Sequence, residues 1–199
     1  IKTDCEVKGV ELMDGKAEAY DHIVSTMPLT LLVLGLDGVS ADVVAAAKSL
    51  RFRNTILVYL NVQSENLFPD NWIYIHSPQL RVGRITNFRN WSPRLYGGEK
   101  SSILALEYWC DEADEFWSRE DDRLIELGKK ELADAGLVRS EAVTDGYVCR
   151  INKCYPVYRA GYRKHLKPIE EYLGGINGLT VIGRYGSFKY NNQDHSILM

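Results

Sequence analysis

The last seventeen residues, GRYGSFKYNNQDHSILM, hold the densest group of side chains in the chain that could bind a ligand. Arg184 is a permanently charged donor whose fork matches a phosphate or carboxylate. Tyr190 adds a hydroxyl group on a rigid ring, and Asn192 and Gln193 can both donate to and accept from the edge of a planar heterocycle. These residue types favour binding of an anionic ligand that carries a planar ring.

The elements around this stretch must position those side chains. LTVIG, which ends at Gly183, is a short apolar run typical of a buried strand, and HSILM indicates the first turn of a helix. A glycine-containing loop between a strand and a helix start exposes backbone N–H groups, which attract phosphates. The alternative is an ordinary polar connection capped by Asn and Asp, in which His195 is a helix N-terminal residue rather than a general base.

Motifs for other chemistries are missing from the sequence. The nearest glycine clusters, YGGEK and LGGING, lack the GxGxxG pattern, and nucleophile elbows, P-loops, HExxH and paired catalytic carboxylates are absent. The four cysteines have neither CxxC spacing nor His partners, so we expect reduced thiols in a cytoplasmic protein and no metal site. A net charge of −3 gives no indication of nucleic-acid binding, and no apolar run reaches the ~18 residues of a membrane span.

Strand signals dominate the sequence pattern. Alternating runs on both sides of Asp14-Gly15 predict a β-hairpin with a two-residue turn, and HIVST predicts a short strand that ends before Pro28. EAVTDGYVCRINKCYPVY predicts a late strand. Runs rich in β-branched and aromatic residues predict four more strands, TILVYLNV, WIYIH, RVGRITNF and SSILALEYWC.

Three helices are expected between these strands. SADVVAAAKSL begins after the N-cap candidate Ser40, and SREDDRLIELGKKELADAGL carries a leucine face and ends near Gly136. YRKHLKPIEEYLGGI contains Pro168, which predicts a kink or a restart. The mixed order predicts an α+β fold built on a mostly antiparallel sheet.

Features of a mononucleotide-binding fold at both ends suggest that one domain is inserted into another. We expect flanks at residues 1–28 and 177–199 and a substrate-binding domain at residues 29–176. The chain lacks an initiator Met and stops on an apparent helix start, so we also expect it to be a segment of a larger protein.

Four stretches, in order, resemble the FAD-dependent amine oxidase and protoporphyrinogen oxidase-like superfamily. VIGRYGSFKYNNQDHSI is similar to its C-terminal flavin loop, and YDHIVSTMPL to the strand and turn where the chain leaves the FAD domain. GRITNFRNWSP and KCYPVY resemble segments of the UDP-galactopyranose mutase-like members. Trp91 stands where the mutase segment has Tyr, and the uridine-binding segment of the mutases is not recognisable.

The resemblance implies a role for each matching residue. Arg84, Trp91, Tyr155 and Tyr190 would contact a small-molecule substrate, a nucleotide sugar in the mutase case. The FAD cofactor would be bound by the residues of the C-terminal loop, Gly183, Arg184, Asn192, Gln193 and Asp194. The missing Rossmann-like N-terminal unit would complete the FAD site.

Three functions follow as hypotheses. The chain would be the substrate-binding part of a mutase-like enzyme that acts through flavin N5, or of an oxidase or desaturase that removes hydride. The third hypothesis is a non-catalytic module that binds a nucleotide sugar or glycan through the same Arg and Tyr residues. Arg84 could also be an ordinary exposed strand residue, and Tyr155 a packing residue. Trp72, Tyr74, Tyr108, Trp109 and Trp117 are expected in the core or on a sheet face.

Overall fold

The computed structural model describes residues 2–3 and 5–199. In chain order its strands and helices are β1 (Lys2–Thr3), β2 (Glu6–Val7), β3 (Gly9–Glu11), β4 (Ala17–Ala19), β5 (Ile23–Ser25), α1 (Leu29–Gly35), α2 (Ala41–Ser49), β6 (Arg51–Val62), β7 (Trp72–Tyr74), β8 (Arg84–Asn87), β9 (Ser102–Cys110), α3 (Asp121–Asp134), β10 (Val143–Val157), α4 (Arg163–Gly174), β11 (Leu179–Val181), α5 (Gly183–Gly186) and α6 (Gln193–Ile197). This mixture confirms the predicted α+β class.

The chain divides into two compact units. Unit 1 combines Ile1–Phe52 with Lys153–Met199, and unit 2 is the continuous stretch Arg53–Asn152. Both α1 and α2 share a hydrophobic core with α4, which is why residues 29–52 and 153–176 pack with the chain ends. These packing units therefore differ in extent from the predicted segments 1–28, 29–176 and 177–199. The binding roles assigned to those segments stay a prediction.

The described part of unit 1 contains three two-stranded sheets, β1-β2, β3-β4 and β5-β11. The hairpin of β3 and β4 is antiparallel, with Val10 opposite Glu18. The Leu12 N–H donates to the Lys16 carbonyl at 2.9 Å, so the loop is three residues long rather than the expected two. Gly15 closes it with φ of +82°, a left-handed conformation that glycine adopts without steric cost.

The three longer helices of unit 1, α1, α2 and α4, each bury apolar residues. The Ser40 hydroxyl accepts the Val43 N–H at 3.5 Å, which confirms the predicted N-cap of α2. Ile169 and Leu173 of α4 are buried against this core, and the helix continues through Pro168 instead of restarting there. Strand β11 pairs in parallel with β5, so two segments far apart in sequence lie side by side.

The main sheet has the strand order β10-β6-β9-β8-β7 and provides the core of unit 2. Strand β9 is antiparallel to both β6 and β8, and β8 is antiparallel to β7. Because side chains alternate between the two faces, one face is apolar and packs against α3 through Leu124 and Leu132, both fully buried. Gly136 follows α3 with φ of +70°, which confirms the expected C-terminal cap.

Candidate functional site

The predicted flavin loop lies at the carboxyl ends of two parallel strands in unit 1. Ser25 is the last residue of β5 and pairs with Val181, the last residue of β11. Thr26 and Gly183, which follow these strands, line a cavity of about 890 Å³. Ligands of open α/β sheets bind at the carboxyl ends of the strands, so this is the expected position for a ligand.

The backbone after β11 turns sharply. The Ile182 N–H donates to the Ser25 carbonyl at 3.0 Å, and Gly183 then adopts φ of +79°. The next residues form the short helix α5 instead of the predicted glycine-containing loop. A Cβ atom at Gly186 would lie 3.1 Å from the Ser25 carbonyl oxygen, so this glycine allows α5 to pack against β5. The turn directs Arg184 towards the two tyrosines described next.

Arg184 contacts the rings of both Tyr155 and Tyr190. Its guanidinium carbon is 4.7 Å from the Tyr155 ring centroid and 4.1 Å from that of Tyr190. The two rings are stacked on each other with centroids 6.0 Å apart and planes 19° apart. Cation–π contact holds a guanidinium without neutralising its charge. The structure thus brings together three of the residues that the sequence singled out, and we call them the Arg184 cluster.

Two nitrogens of Arg184 have no acceptor. Both Nε and Nη2 are shielded from solvent and have no hydrogen-bond partner within the described part of the chain. Leaving a shielded donor unpaired costs roughly 1–3 kcal/mol, and more for a charged group, so these donors require a partner such as a ligand, an ion or an ordered water. An oxygen atom of an anionic ligand would satisfy them.

The other predicted residues of the loop surround the same cavity. Asn192, Gln193 and Asp194 line it and are exposed. Helix α6 begins at Gln193, two residues before the expected start, and Asn192 is its N-cap residue. His195 lies in this helix with its Nδ1 3.2 Å from the Asp194 carboxylate, as expected for an exposed helix N-terminal residue.

Several residues near the cavity were not predicted. Thr26, Tyr185 and Asn191 line it, and Asn191 is almost fully buried. Burial, and secondarily the Cys154 thiol, raises the pKa of the Tyr185 hydroxyl, so this group is a proton donor rather than a phenolate near neutral pH. Tyr158 was also missed, although its hydroxyl accepts the backbone N–H of Tyr190 at 2.5 Å. Thr26, Tyr185 and Asn191 lie in stretches that the sequence singled out, but which of their side chains line the cavity depends on contacts between distant segments.

Arg84 and Trp91 belong to unit 2. Arg84 forms an ion pair with Glu107, which is only 4% exposed, and its Nη1 donates to the Tyr74 hydroxyl at 3.4 Å. It is therefore not an ordinary exposed residue. Trp91 is half-exposed and stacks on Trp72, with ring centroids 5.5 Å apart.

Tyr74 lies on a face of the main sheet and Tyr108 lies in the core, as the sequence predicted. Tyr74 pairs with Arg84 and Arg84 with Glu107 across neighbouring strands, so these three side chains lie on the sheet face opposite the apolar core. Tyr108 is fully buried on the core face, and its hydroxyl donates to Glu131 at 2.8 Å. Among residues 2–3 and 5–199, no group of three or more His, Cys, Asp or Glu could hold a metal ion. No described helix combines the length and apolarity needed to cross a membrane.

Solved structures of a mutase and of oxidoreductases share the fold of this chain, in agreement with the resemblance. The fold is shared with a reduced UDP-galactopyranose mutase at a TM-score of 0.81 and 24% identity, over 96% of this chain and 41% of the mutase. A candidate protoporphyrinogen oxidase from Exiguobacterium sp. 255-15 has a TM-score of 0.65 and 16% identity, over 87% of this chain and 38% of its own.

An oxidoreductase from Methanosarcina mazei is similar over 79% of this chain and 36% of its own, with a TM-score of 0.52 and 14% identity. The chain thus spans about two fifths of the length of the mutase and of the Exiguobacterium protein. No family profile and no curated protein sequence matches the chain.

Proposed function

We propose that this chain is part of an FAD-dependent enzyme and that the cavity beside Arg184 binds the cofactor. The observation that carries the proposal is the Arg184 cluster at the carboxyl ends of β5 and β11, with two shielded guanidinium donors that lack an acceptor among residues 2–3 and 5–199. The likeness of the fold to a mutase and to oxidoreductases supports the same class.

The residues around the cavity fit an FAD group. FAD carries a negatively charged diphosphate, polar ribityl hydroxyls and a planar ring. Arg184 provides the fixed cationic donors that an anionic oxygen requires, and the two tyrosine rings keep its guanidinium plane in place. Bound FAD would supply the redox-active isoalloxazine ring, a chemistry that protein side chains lack.

The chain's own residues would bind and orient. The amide groups of Asn192 and Gln193 can both donate to and accept from ribityl or ring-edge atoms, and the Asp194 carboxylate can accept from a hydroxyl group. Gly183, which has no side chain, lets the backbone approach the ligand closely. Tyr185, protonated near neutral pH, adds a hydroxyl donor to the same lining.

For the substrate we propose a nucleotide sugar and mutase-like chemistry. The fold agrees better with the mutase than with the two oxidoreductase-like structures. Tyr155 and Tyr190 of unit 1 would contact the substrate, with their hydroxyls directed at its diphosphate. Substrate contacts of Arg84 and Trp91, which belong to unit 2, stay a prediction from the sequence. The alternatives are an oxidase or desaturase that removes hydride, and a non-catalytic module for nucleotide sugars or glycans.

The proposal is tested on the purified gene product that contains this chain, by its visible absorption spectrum before and after addition of dithionite. We expect a flavin spectrum that bleaches on reduction. A colourless protein that free FAD does not reconstitute would overturn the FAD assignment and leave the non-catalytic module as the best account.

Turnover assays separate the two enzymatic alternatives. We expect interconversion of UDP-galactopyranose and its furanose isomer by the dithionite-reduced protein, and none by the oxidised protein. Activity of the oxidised protein alone, with consumption of oxygen or an electron acceptor, would favour the oxidase or desaturase instead.

A further inference from the structure

A second cavity in unit 1 is lined by aromatic rings and by an excess of positively charged side chains. It measures about 440 Å³, within the ~300–1,000 Å³ typical of small-molecule sites. One wall is a face of α4, on which Arg163, Lys167 and Glu170 follow one another at helical spacing. The segment Ser187–Lys189 also lines the cavity. None of the residues that line this second cavity also lines the cavity beside Arg184.

The charges around this second cavity are predominantly positive. Arg163, Lys167 and Lys189 contribute three cations, against the single carboxylate of Glu170, so the lining has a net charge of two positive units. Lys167 is 3.6 Å from Glu171, whereas Arg163 and Lys189 form no ion pair with any described residue. A small cavity with this excess of positive charge favours an anion, and Arg163 can donate to a phosphate in bidentate fashion.

Aromatic rings form the floor of the cavity. Tyr158 and Tyr162 have ring centroids 4.8 Å apart, and each is 6.1 Å from the ring of Phe188. The Tyr158 hydroxyl already accepts the Tyr190 N–H. The half-exposed ring of Tyr158 therefore remains available for contact with a ligand. A flat aromatic ring favours stacking of a planar base of any kind.

The backbone at Phe188 is strained. Phe188 has φ of +47°, which is uncommon for a bulky residue, and its side chain is 1% exposed. Burial of its ring against Phe52, with centroids 5.0 Å apart, holds this conformation in place. Strained residues of this kind cluster at ligand sites, where the surrounding structure fixes a segment in its binding conformation.

We propose that this second cavity binds a nucleoside monophosphate or a chemically similar phosphate ester with a planar ring. The phosphate would lie between Arg163, Lys167 and Lys189, and the ring would stack on Tyr158. The proposal is independent of the FAD assignment, because the two cavities share no lining residue.

The test is calorimetric titration of the purified gene product, saturated with FAD, with AMP, adenosine and inorganic phosphate. Saturation with FAD prevents AMP from occupying the proposed cofactor site. We expect AMP to bind more tightly than either adenosine or phosphate, because only AMP has both the charge and the ring. The Arg163→Ala/Lys189→Ala variant should weaken AMP binding roughly tenfold or more.

Lys164→Ala is the matched control, since Lys164 is an exposed cation of the same helix that does not line the cavity. Its AMP affinity should equal that of the wild type. Absence of AMP binding, or equal affinities in the double variant and the control, would overturn the proposal. Phosphate or adenosine binding as tightly as AMP would overturn the assignment of a ring-bearing phosphate ester.

Discussion

Arg84 in unit 2 and Arg184 in unit 1 differ in the partners of their guanidinium groups. The guanidinium of Arg84 is paired with the nearly buried carboxylate of Glu107 and donates to Tyr74. That of Arg184 contacts two tyrosine rings, and two of its nitrogens have no acceptor in the described part of the protein. The same residue type can thus stabilise a fold or remain available for a ligand, and the neighbouring carboxylate makes the difference.

Unit 2 repeats this internal satisfaction elsewhere. The buried carboxylate of Glu131 accepts the backbone N–H groups of Arg81 and Val82 and the Tyr108 hydroxyl. Arg89 donates to two carbonyl groups and pairs with Glu65. These charges of unit 2 therefore serve its own stability, whereas Arg184 in unit 1 keeps two shielded donors without an acceptor among the described residues. Four substitutions test this contrast, from the largest expected effect to the smallest.

Replacing Glu131 by Ala should have the largest effect on stability. It removes the acceptor of three donors at once, two of them buried, which we expect to lower the free energy of unfolding by about 3 kcal/mol. Urea denaturation measures this loss. Glu126→Ala, on the same helix but exposed and paired only with Lys129, is the control and should change stability little. Equal losses in both variants would contradict the role of Glu131.

Replacing Glu107 by Gln should destabilise the protein by about 1–2 kcal/mol. It leaves the Arg84 charge without a counter-ion, although the 28% exposure of the Arg84 side chain reduces the cost. Asp121→Asn is the control, since it neutralises the carboxylate that pairs with Arg150. Because Asp121 is more exposed than Glu107, this change should lower the free energy of unfolding less. If urea unfolding shows no change for Glu107→Gln, the Arg84–Glu107 pair is not a structural element.

Replacing Tyr108 by Phe should cost about 1 kcal/mol near neutral pH, because one hydrogen bond to Glu131 is lost. Burial, and secondarily the Glu131 charge, raises the pKa of the Tyr108 hydroxyl in the folded state. Its stabilising contribution is therefore complete below the unfolded pKa of about 10 and is lost as pH rises above that value. Above about pH 10, the free energy of unfolding should decline more steeply with pH for the wild type than for Tyr108→Phe. Parallel declines in the two proteins would contradict this.

Replacing Arg184 by Met should have the smallest effect on stability, within about 1 kcal/mol. The loss of cation–π contact is offset by removal of two donors that have no acceptor. Arg89→Met is the comparison, since Arg89 has acceptors for its donors, and it should lower the free energy of unfolding clearly more. A loss for Arg184→Met as large as that for Arg89→Met would show that Arg184 stabilises the fold.

Local signals were sufficient to predict most elements. Alternation located the hairpin strands β3 and β4, and runs of β-branched and aromatic residues located β6 to β9. The N-cap Ser40 located α2, and Gly136 marked the end of α3. The predicted length of the hairpin loop and the predicted start of α6 were wrong. For Pro168 the sequence left a kink or a restart open, and the structure shows α4 continuing through it. These details depend on packing and on hydrogen bonds that local composition does not specify.

The site could be predicted only in part. Arg184 and Tyr190 stood out because they occur together in one polar stretch, whereas Tyr155 entered through resemblance to a known family. Glu107 and Tyr158 could not be found, because their roles depend on partners at Arg84 and Tyr190 that lie far away in the sequence. A sequence identifies donors, but only the fold shows which of them already have acceptors.

The most direct test of the central claim is the affinity of the purified gene product for FAD, measured by flavin fluorescence in wild type and Arg184→Met. If Arg184 donates to the cofactor, affinity should fall roughly 10- to 100-fold, since a hydrogen bond to a charged group contributes about 1.5–3 kcal/mol. Arg184→Lys should recover only part of the loss, because it lacks the bidentate fork. Equal affinities in wild type and Arg184→Met would contradict the claim that the Arg184 cluster binds FAD.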